Sequence, residues 1–261
     1  MAGSTVIWKT SGLAFLPPPR YSPLPNYNLL DKYRPFSYYA ASMPNASTSL
    51  ILASTSPRRR ELITLFGLAF KFVTADVDES PRAGEPPEEL VRRLSRAKAQ
   101  IAARDYPETT IIAADTVVSL DGSILGKPRD SVDATRMLKL MRARAHTVYS
   151  GVTISRGARQ ITQVATTTVW MRDYTDAEIA VYVATGDPLD KAAAYAIQHD
   201  AFRPAARIDG CHANVMGLPL CHLYRALHAF GIAVSEPDRA CQEHLKIVCP
   251  VAHGILEGRI M

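Results

Sequence analysis

Leu50-Ile51-Leu52-Ala53-Ser54-Thr55-Ser56-Pro57-Arg58-Arg59-Arg60-Glu61-Leu62-Ile63 is the stretch whose reading decides the fold. Four apolar residues in a row, closed at once by turn-forming residues, read as a short buried strand. Ser56 suits a helix N-cap, and Pro57 suits the first helical position, where its missing N–H would have had no partner. The helix runs to about Phe66 and stops at Gly67. Three arginines then stand in a first turn whose free N–H groups already carry partial positive charge, a mismatch of roughly 0.3–1 kcal/mol for each cation near the dipole. An anion is the simplest compensation. Backbone N–H groups, the Ser54 and Ser56 hydroxyls and at least two guanidinium forks together make a receptor for phosphate. A solvated basic turn is the alternative reading.

Downstream, Phe70 to Thr74 reads as a second strand leading into Asp76-Val77-Asp78-Glu79. Its carboxylates form either a solvated loop or an approach to a metal ion. A helix follows from about Pro87 to Ala103, with Leu90, Val91, Leu94, Ala97 and Ile101 at helical spacing. Lys98 lies near that apolar stripe, which makes it an inward-reaching cation or a lysine whose stem packs while its head reaches water. Ile111 to Val118 is an apolar strand with a carboxylate, Asp115, in its midst. Such a group is costly to bury without a cation, metal or donor, so Asp115 is the best general-base candidate; an Asp that caps a turn is the plainer reading.

Asp121-Gly122 marks a hairpin, and Gly126-Lys127-Pro128 mounts a lysine between two backbone-restricting residues, suited to a phosphate contact or simply a loop. A helix over Ser131–Met141 precedes two strands, His146 to Ile154 and Ile161 to Met171, and a helix from Asp173 to Ala184. Gly186 to Gln198 is dense in small residues that permit close backbone approach. Gln198 offers the donor and acceptor needed to read N3–H and O4 of a uracil or thymine ring. A last helix spans Leu220 to Phe230 and ends at Gly231.

The whole chain has 261 residues, 47% of them hydrophobic, enough for one large domain or two small ones. A net charge of +5 favours anionic partners. Nucleic acid is not among those expected, because aromatics are only 8% and are not interleaved with the basic residues. No apolar run approaches the roughly 18 residues of a membrane span. The four cysteines, Cys211, Cys221, Cys241 and Cys249, show no C-x-x-C spacing, argue against a zinc site and are compatible with a reducing compartment. Residues 1–47, with clustered prolines and a single acid, Asp31, read as a non-core extension, either a disordered tail or an organelle transit peptide. Residues 48–235 read as the folded domain and 236–261, without clear pattern, as an appended tail.

Several pieces in order resemble the Maf family of nucleoside triphosphate pyrophosphatases: Ser54-Thr55-Ser56-Pro57-Arg58-Arg59, Val77-Asp78-Glu79, the Leu94 to Gln100 segment, Ala114-Asp115-Thr116, Gly126-Lys127-Pro128, Pro188-Leu189-Asp190-Lys191-Ala192, Ala196-Ile197-Gln198 and Gly217-Leu218-Pro219. The match covers about residues 49–232. The resemblance implies an α/β fold with a mixed twisted sheet, flanking helices and two lobes around a cleft, similar to the inosine triphosphate pyrophosphatase superfamily. It also implies a homodimer in the cytoplasm, or in an organelle if the extension is a transit peptide. The implied reaction is hydrolysis between the α and β phosphates of dTTP, UTP or modified pyrimidine nucleotides, with Mg2+ or Mn2+. By the same resemblance Asp115 activates the attacking water, and Arg58, Arg59, Lys98 and Lys127 hold the phosphates, with Ser54 and Ser56 in the same turn. Glu79 helps with metal or water, Asp115 and Glu79 being the implied metal ligands, and Thr116 and Gln198 help select the base. The chain departs from the pattern at His199 and Asp200, which stand where glycine commonly follows the Ile-Gln pair, and at Ala193 and Ala196, which also replace glycine. A bulky His199 beside the base-reading loop would reshape the pocket. The competing reading is a non-catalytic nucleotide- or nucleic-acid-binding protein linked to cell division. A carboxylate among the phosphate-binding cations counts against it, because it would repel the ligand.

Overall fold

Strand β1 (Leu50–Ala53) is buried along its whole length because it lies between two parallel neighbours, β2 (Phe70–Val73) and β3 (Thr110–Leu120). A strand covered on both faces has no polar side, which is why this stretch is continuously apolar. The computed structural model describes residues 50–260; the proline-rich extension and its transit-peptide reading lie outside them. Among the described residues there is one seven-stranded mixed sheet in the order β2-β1-β3-β5-β6-β7. Strand β4 (Ser123–Leu125) pairs with the far half of β3. The long strand β5 (Ala145–Arg156) runs antiparallel to β3, and β6 (Arg159–Met171) runs antiparallel to β5.

The first turn after β1 forms as its residues dictate. Helix α1 (Pro57–Ile63) is capped by Ser56, whose side chain accepts from the Arg59 N–H, and Pro57 opens it. Gly67 then closes a single 3-10 turn with φ of 67°, a backbone region open to glycine without strain.

Helix α2 (Pro87–Asp105) lies on one face of the sheet through Leu90, Val91, Leu94, Ser95, Lys98, Ala99 and Ala102. The period-2 alternation of β3 assigns its faces. Ile111 and Ala113 pack with Ala99 and Ala102, and Val117 packs with Leu90, Val91 and Leu94, so Asp115 points to the α2 side. Ile112 and Ala114 face the opposite core, built with α1, α5 (His212–Val215) and α6 (Leu220–Phe230). A third cluster gathers the far ends of β3, β5 and β6 with α3 (Ser131–Met141) and α4 (Asp176–Ala184).

Gly151 sets how close α2 comes. It pairs with Asp115 across β3 and β5, and a Cβ there would stand 2.4 Å from the Val91 carbonyl oxygen. Gly151→Ala should therefore push α2 off the sheet and destabilise the fold by about 1–3 kcal/mol, the usual range for overpacking. A denaturant melt of the variant checks this; an unchanged midpoint would contradict it.

Four elements carried no clear pattern in the sequence. Strand β7 (Ala205–Asp209) is an edge strand paired only with β6 and mostly exposed, so it has no apolar alternation to read. Helix α5 spans only four residues. The segment from 236 onward forms α7 (Asp238–Leu245) and α8 (Ala252–Leu256), and buries Cys241, Ala252 and Ile255 in the core shared with α6. The helix expected from Asp173 starts at Asp176, because Thr175 and Glu178 form a reciprocal capping box while Tyr174 is fully buried, its hydroxyl donating to the Leu138 carbonyl.

Candidate active site

A split in the pairing of β3 opens a cleft. Its residues 110–113 pair with β1 and its residues 118–120 with β4, which leaves Ala114 to Val117 without a neighbour on that edge. The chain of β1 turns away here into Ser54-Thr55-Ser56, and the space beyond the carboxyl ends of parallel strands is where such sheets bind ligands. The cleft measures about 580 Å3 and is lined by the catalytic and binding candidates read from the sequence: Ser54, Ser56, Arg58, Arg59, Glu79, Lys98, Asp115, Thr116, Lys127 and Gln198.

Lys98 reaches inward. Its Nζ donates to Asp115 Oδ1 at 2.6 Å and to Glu79 Oε1 at 2.5 Å. Both Lys98 and Asp115 are buried, and the Glu79 side chain is 59% exposed. Burial lifts the Asp115 carboxyl above the usual carboxylate range, with the charges of Lys98 and Arg59 opposing it. For Glu79 burial also acts upward, but the hydrogen bond and charge of Lys98, with Lys127 and Arg59 behind it, hold the group below its ordinary value. Two carboxylates on one ammonium are thus driven apart in proton affinity, the arrangement that distinguishes a base from a fixed anion.

The arginines divide their work. Arg59 donates from Nε to the Gly217 carbonyl at 2.8 Å and from Nη2 to Thr116 Oγ1 at 3.0 Å, and its burial lowers its pKa. Thr116 in turn meets Ser150 Oγ at 2.8 Å, and Ser150 donates to the Asn214 carbonyl. Arg59 and Thr116 therefore brace the cleft wall between α1, β3, β5 and the turn after α5. Gly217 has φ of 104°, and a Cβ there would stand 3.3 Å from Arg59 Nε and Thr116 Oγ1. By contrast, Arg58 has a buried Nε without a hydrogen-bond partner, and Lys127 is exposed in the β4–α3 loop. These two line the cleft as open donors. Ser54 is buried, its Oγ accepting from the Ser56 N–H at 3.2 Å, and its carbonyl accepts from Arg60 Nε at 3.1 Å.

A network on the opposite wall escaped the sequence reading. Lys191 Nζ donates to Asp187 O and Oδ1 and to Asp190 Oδ1, at 2.6, 2.9 and 2.6 Å. The Tyr182 hydroxyl donates to Asp187 Oδ2 and accepts from the Ala196 N–H. This holds a segment in which Ala193 and Ala194 adopt φ of 57° and 59°, the conformation that glycine would take without strain. The Ala193 N–H also donates to the Gly126 carbonyl, tying the segment to the loop that carries Lys127. Two acids, Asp187 and Asp190, spaced around Pro188-Leu189 and followed at once by Lys191 were the available signal. Gln198 lines the cleft from this segment and is exposed there, while Tyr195 is buried at the cleft wall with its hydroxyl 2.7 Å from His146 Nε2. His199 does not intrude as expected. Its ring packs edge-on against Tyr182 at 4.6 Å and its Nδ1 accepts from the Phe202 N–H, because a neighbouring aromatic pair offers it a better-packed position than the polar cleft.

Residues 49–230 match the family model described as Maf-like protein. A dTTP/UTP pyrophosphatase of Geotalea uraniireducens (strain Rf4) is 45% identical over 191 residues, covering 72% of this chain and 98% of that protein. One of Thermomicrobium roseum is 41% identical over 212 residues, covering 81% and 97%. Among solved structures, the Ham1 protein of Staphylococcus aureus aligns with a TM-score of 0.36 at 16% identity, over 48% of this chain and 72% of that one. A HAM1 protein of Coxiella burnetii aligns at 0.37 and 14%, over 59% and 92%.

Proposed function

The chain belongs to the Maf-like protein family, and from that premise we propose that it is a nucleoside triphosphate pyrophosphatase acting on dTTP and UTP. The bond cleaved is the α–β phosphoanhydride, giving the monophosphate and pyrophosphate. Relatives that share more than 40% identity carry the dTTP/UTP name. The observation that carries the reading is Asp115, buried with a raised proton affinity, facing the open donors of Arg58 and Lys127 across one cleft. A binding protein has no use for a poised base beside its phosphate donors.

Asp115 accepts the proton of a water aimed at the α phosphorus. Lys98 holds that carboxylate in place, and its charge favours the ionised form against burial. Arg58 and Lys127 take the negative charge that builds on the phosphate oxygens, with the Ser54–Ser56 turn beneath them. Braced by Thr116 and Gly217, Arg59 keeps α1 in register with β3. Gln198 and the Thr116 side of the cleft receive the pyrimidine.

The donor set fits a divalent cation. Asp115 and Glu79 both line the cleft, and Lys98 engages Oδ1 and Oε1, which leaves Oδ2 and Oε2 without an internal hydrogen bond. Among the described residues no three acidic, His or Cys side chains form a complete metal cage, which suits an ion held by one or two carboxylates together with substrate phosphates. Charge balance points the same way: Arg58, Arg59, Lys98, Lys127 and Lys191 are matched by Asp76, Glu79, Asp115, Asp187 and Asp190 among the lining residues. The cleft is therefore close to neutral for a highly anionic ligand. Asp115 and Glu79 would hold Mg2+ or Mn2+, which when bound supplies charge neutralisation and Lewis acidity at the phosphates.

The reading includes a homodimer and a cytoplasmic location, which sedimentation of the purified chain and fractionation of its source address. Among the described residues no helix is long and apolar enough to cross a membrane. The direct test is pyrophosphate release across a panel of ordinary and modified nucleoside triphosphates with Mg2+ and with Mn2+. Turnover of dTTP and UTP above purine nucleotides is expected; a panel left intact would refute the activity. Arg58→Ala should raise KM and lower kcat together, by about 1.5–3 kcal/mol in kcat/KM, the range of a charge-assisted hydrogen bond. Steady-state kinetics on UTP check this, and a variant with wild-type constants would move the phosphates elsewhere.

A further inference from the structure

Two thiols beyond the family match meet two within it. Cys211, just ahead of α5, and Cys221 on α6 lie inside residues 49–230, whereas Cys241 on α7 and Cys249, between α7 and α8, lie after them. All four wall one small cavity of about 10 Å3, and all four are free thiols. That volume barely accommodates a single water. No cysteine lines the catalytic cleft. Among the described residues no three Cys, His, Asp or Glu side chains converge on a point that would hold a metal ion, so the cluster is not arranged for chelation. It does bring sulfur next to sulfur across the boundary between the core and the C-terminal helices.

We propose that this cluster is an oxidation site, in which Cys249 is the thiol that a hydroperoxide reaches and a second thiol of the cluster closes an intrachain disulfide onto it. Exposure selects the first residue. Cys211, Cys221 and Cys241 are 6, 5 and 8% exposed, while Cys249 is half-buried. Geometry selects its neighbourhood. After Lys246, whose φ is 54°, the chain folds back on α7: the Ile247 N–H donates to the Gln242 carbonyl and the Cys249 N–H to Gln242 Oε1 at 2.8 Å. This pins residue 249 beside the helix turn that carries Cys241.

The chemistry closes with one oxidant. The Cys249 thiolate attacks the peroxide O–O bond, giving the sulfenic acid and releasing the alcohol, or water from hydrogen peroxide. The second thiol then attacks the sulfenic sulfur, and its proton leaves with the hydroxyl as water. In sum, two thiols and one hydroperoxide give one disulfide, one alcohol and one water. Burial, reinforced by the neighbouring sulfurs, pushes the Cys241 thiol up to about 11 and, despite local backbone donors, the Cys211 thiol up to about 12. The second step is consequently the slow one, since the thiolate is the attacking species. Closure onto Cys211 or Cys221 joins the C-terminal helices to their own docking surface, next to α6 and to the His244–Glu61 contact with α1, whereas closure onto Cys241 staples α7 to the chain that follows it.

The full chain treated with hydrogen peroxide, then denatured and alkylated, tests this by intact mass and peptide mapping. Expected are a loss of 2 Da, two alkylatable thiols in place of four, and a cross-linked peptide containing Cys249. Cys249→Ser should keep three alkylatable thiols and show no loss of 2 Da, with unchanged kcat/KM before oxidation. Four reactive thiols in the treated wild-type chain, a disulfide that omits Cys249, a disulfide between two chains, or oxidation that stops at a sulfinic acid would each overturn the proposal. The mapping of the wild-type chain decides the matter independently of how the variant folds.

Discussion

Asp115→Asn is expected to lower kcat on UTP by about 10²–10⁴-fold, the usual contribution of a positioned general base, while nucleotide affinity stays within a few-fold. The substitution keeps shape and volume in a strand that is buried along its length apart from the half-buried Thr116, so the sheet has no reason to rearrange. Lys98 retains Glu79 as a partner. What disappears is, among the described residues, the one cleft group that combines burial, a raised proton affinity and a carboxylate oxygen free of internal hydrogen bonds. Pyrophosphate-release kinetics and calorimetric titration of UTP on the same preparation separate the two quantities. Lost affinity with retained turnover would show that the carboxylate holds the ligand and that the base lies elsewhere.

Lys98→Met is the second large effect, and its sign follows from the site's electrostatics. In the wild-type chain burial raises the Asp115 carboxyl and Lys98 pulls it back down. Removing the ammonium leaves Arg59 as the remaining cation opposing burial, so the carboxyl should rise further. Only the ionised form acts as base. The rate therefore falls as pH drops through the carboxyl's pKa, and a higher pKa moves the acid limb of kcat/KM to higher pH. Activity at neutral pH should collapse and partly return in alkaline buffer. A uniform loss at every pH would instead mark Lys98 as a phosphate contact alone. Methionine retains most of the stem, which is buried on the same helix face as Leu94 and Ala102, so the comparison isolates charge from packing.

The site was more legible than its working. Asp115 in an apolar strand, Lys98 near an apolar stripe and the Ser-Pro-Arg-Arg turn each announce themselves within about ten residues, because strand alternation, helical spacing and capping are local properties. The structure brings those three pieces to one cleft, and it settles the two readings of Lys98 in favour of the inward one. Which arginine faces the ligand was not legible. Arg58 and Arg59 are equivalent as text, yet Arg59 is held by Gly217, 158 positions away, and Thr116, 57 positions away. The same holds for His199, whose place against Tyr182 depends on how α4 packs.

From the amino-acid order alone came the strand-turn-helix at residue 50, the chemistry of the candidate side chains and the family they resemble, since each rests on patterns a few residues long. Tertiary structure alone decided which cations lack an internal partner in the cleft, how Lys191 props the segment bearing Gln198, and that the residues after 236 pack onto the core and line a thiol cluster. The difference is physical. Period and capping are set by neighbours along the chain, whereas a charge or a thiol takes its role from whatever the fold packs against it.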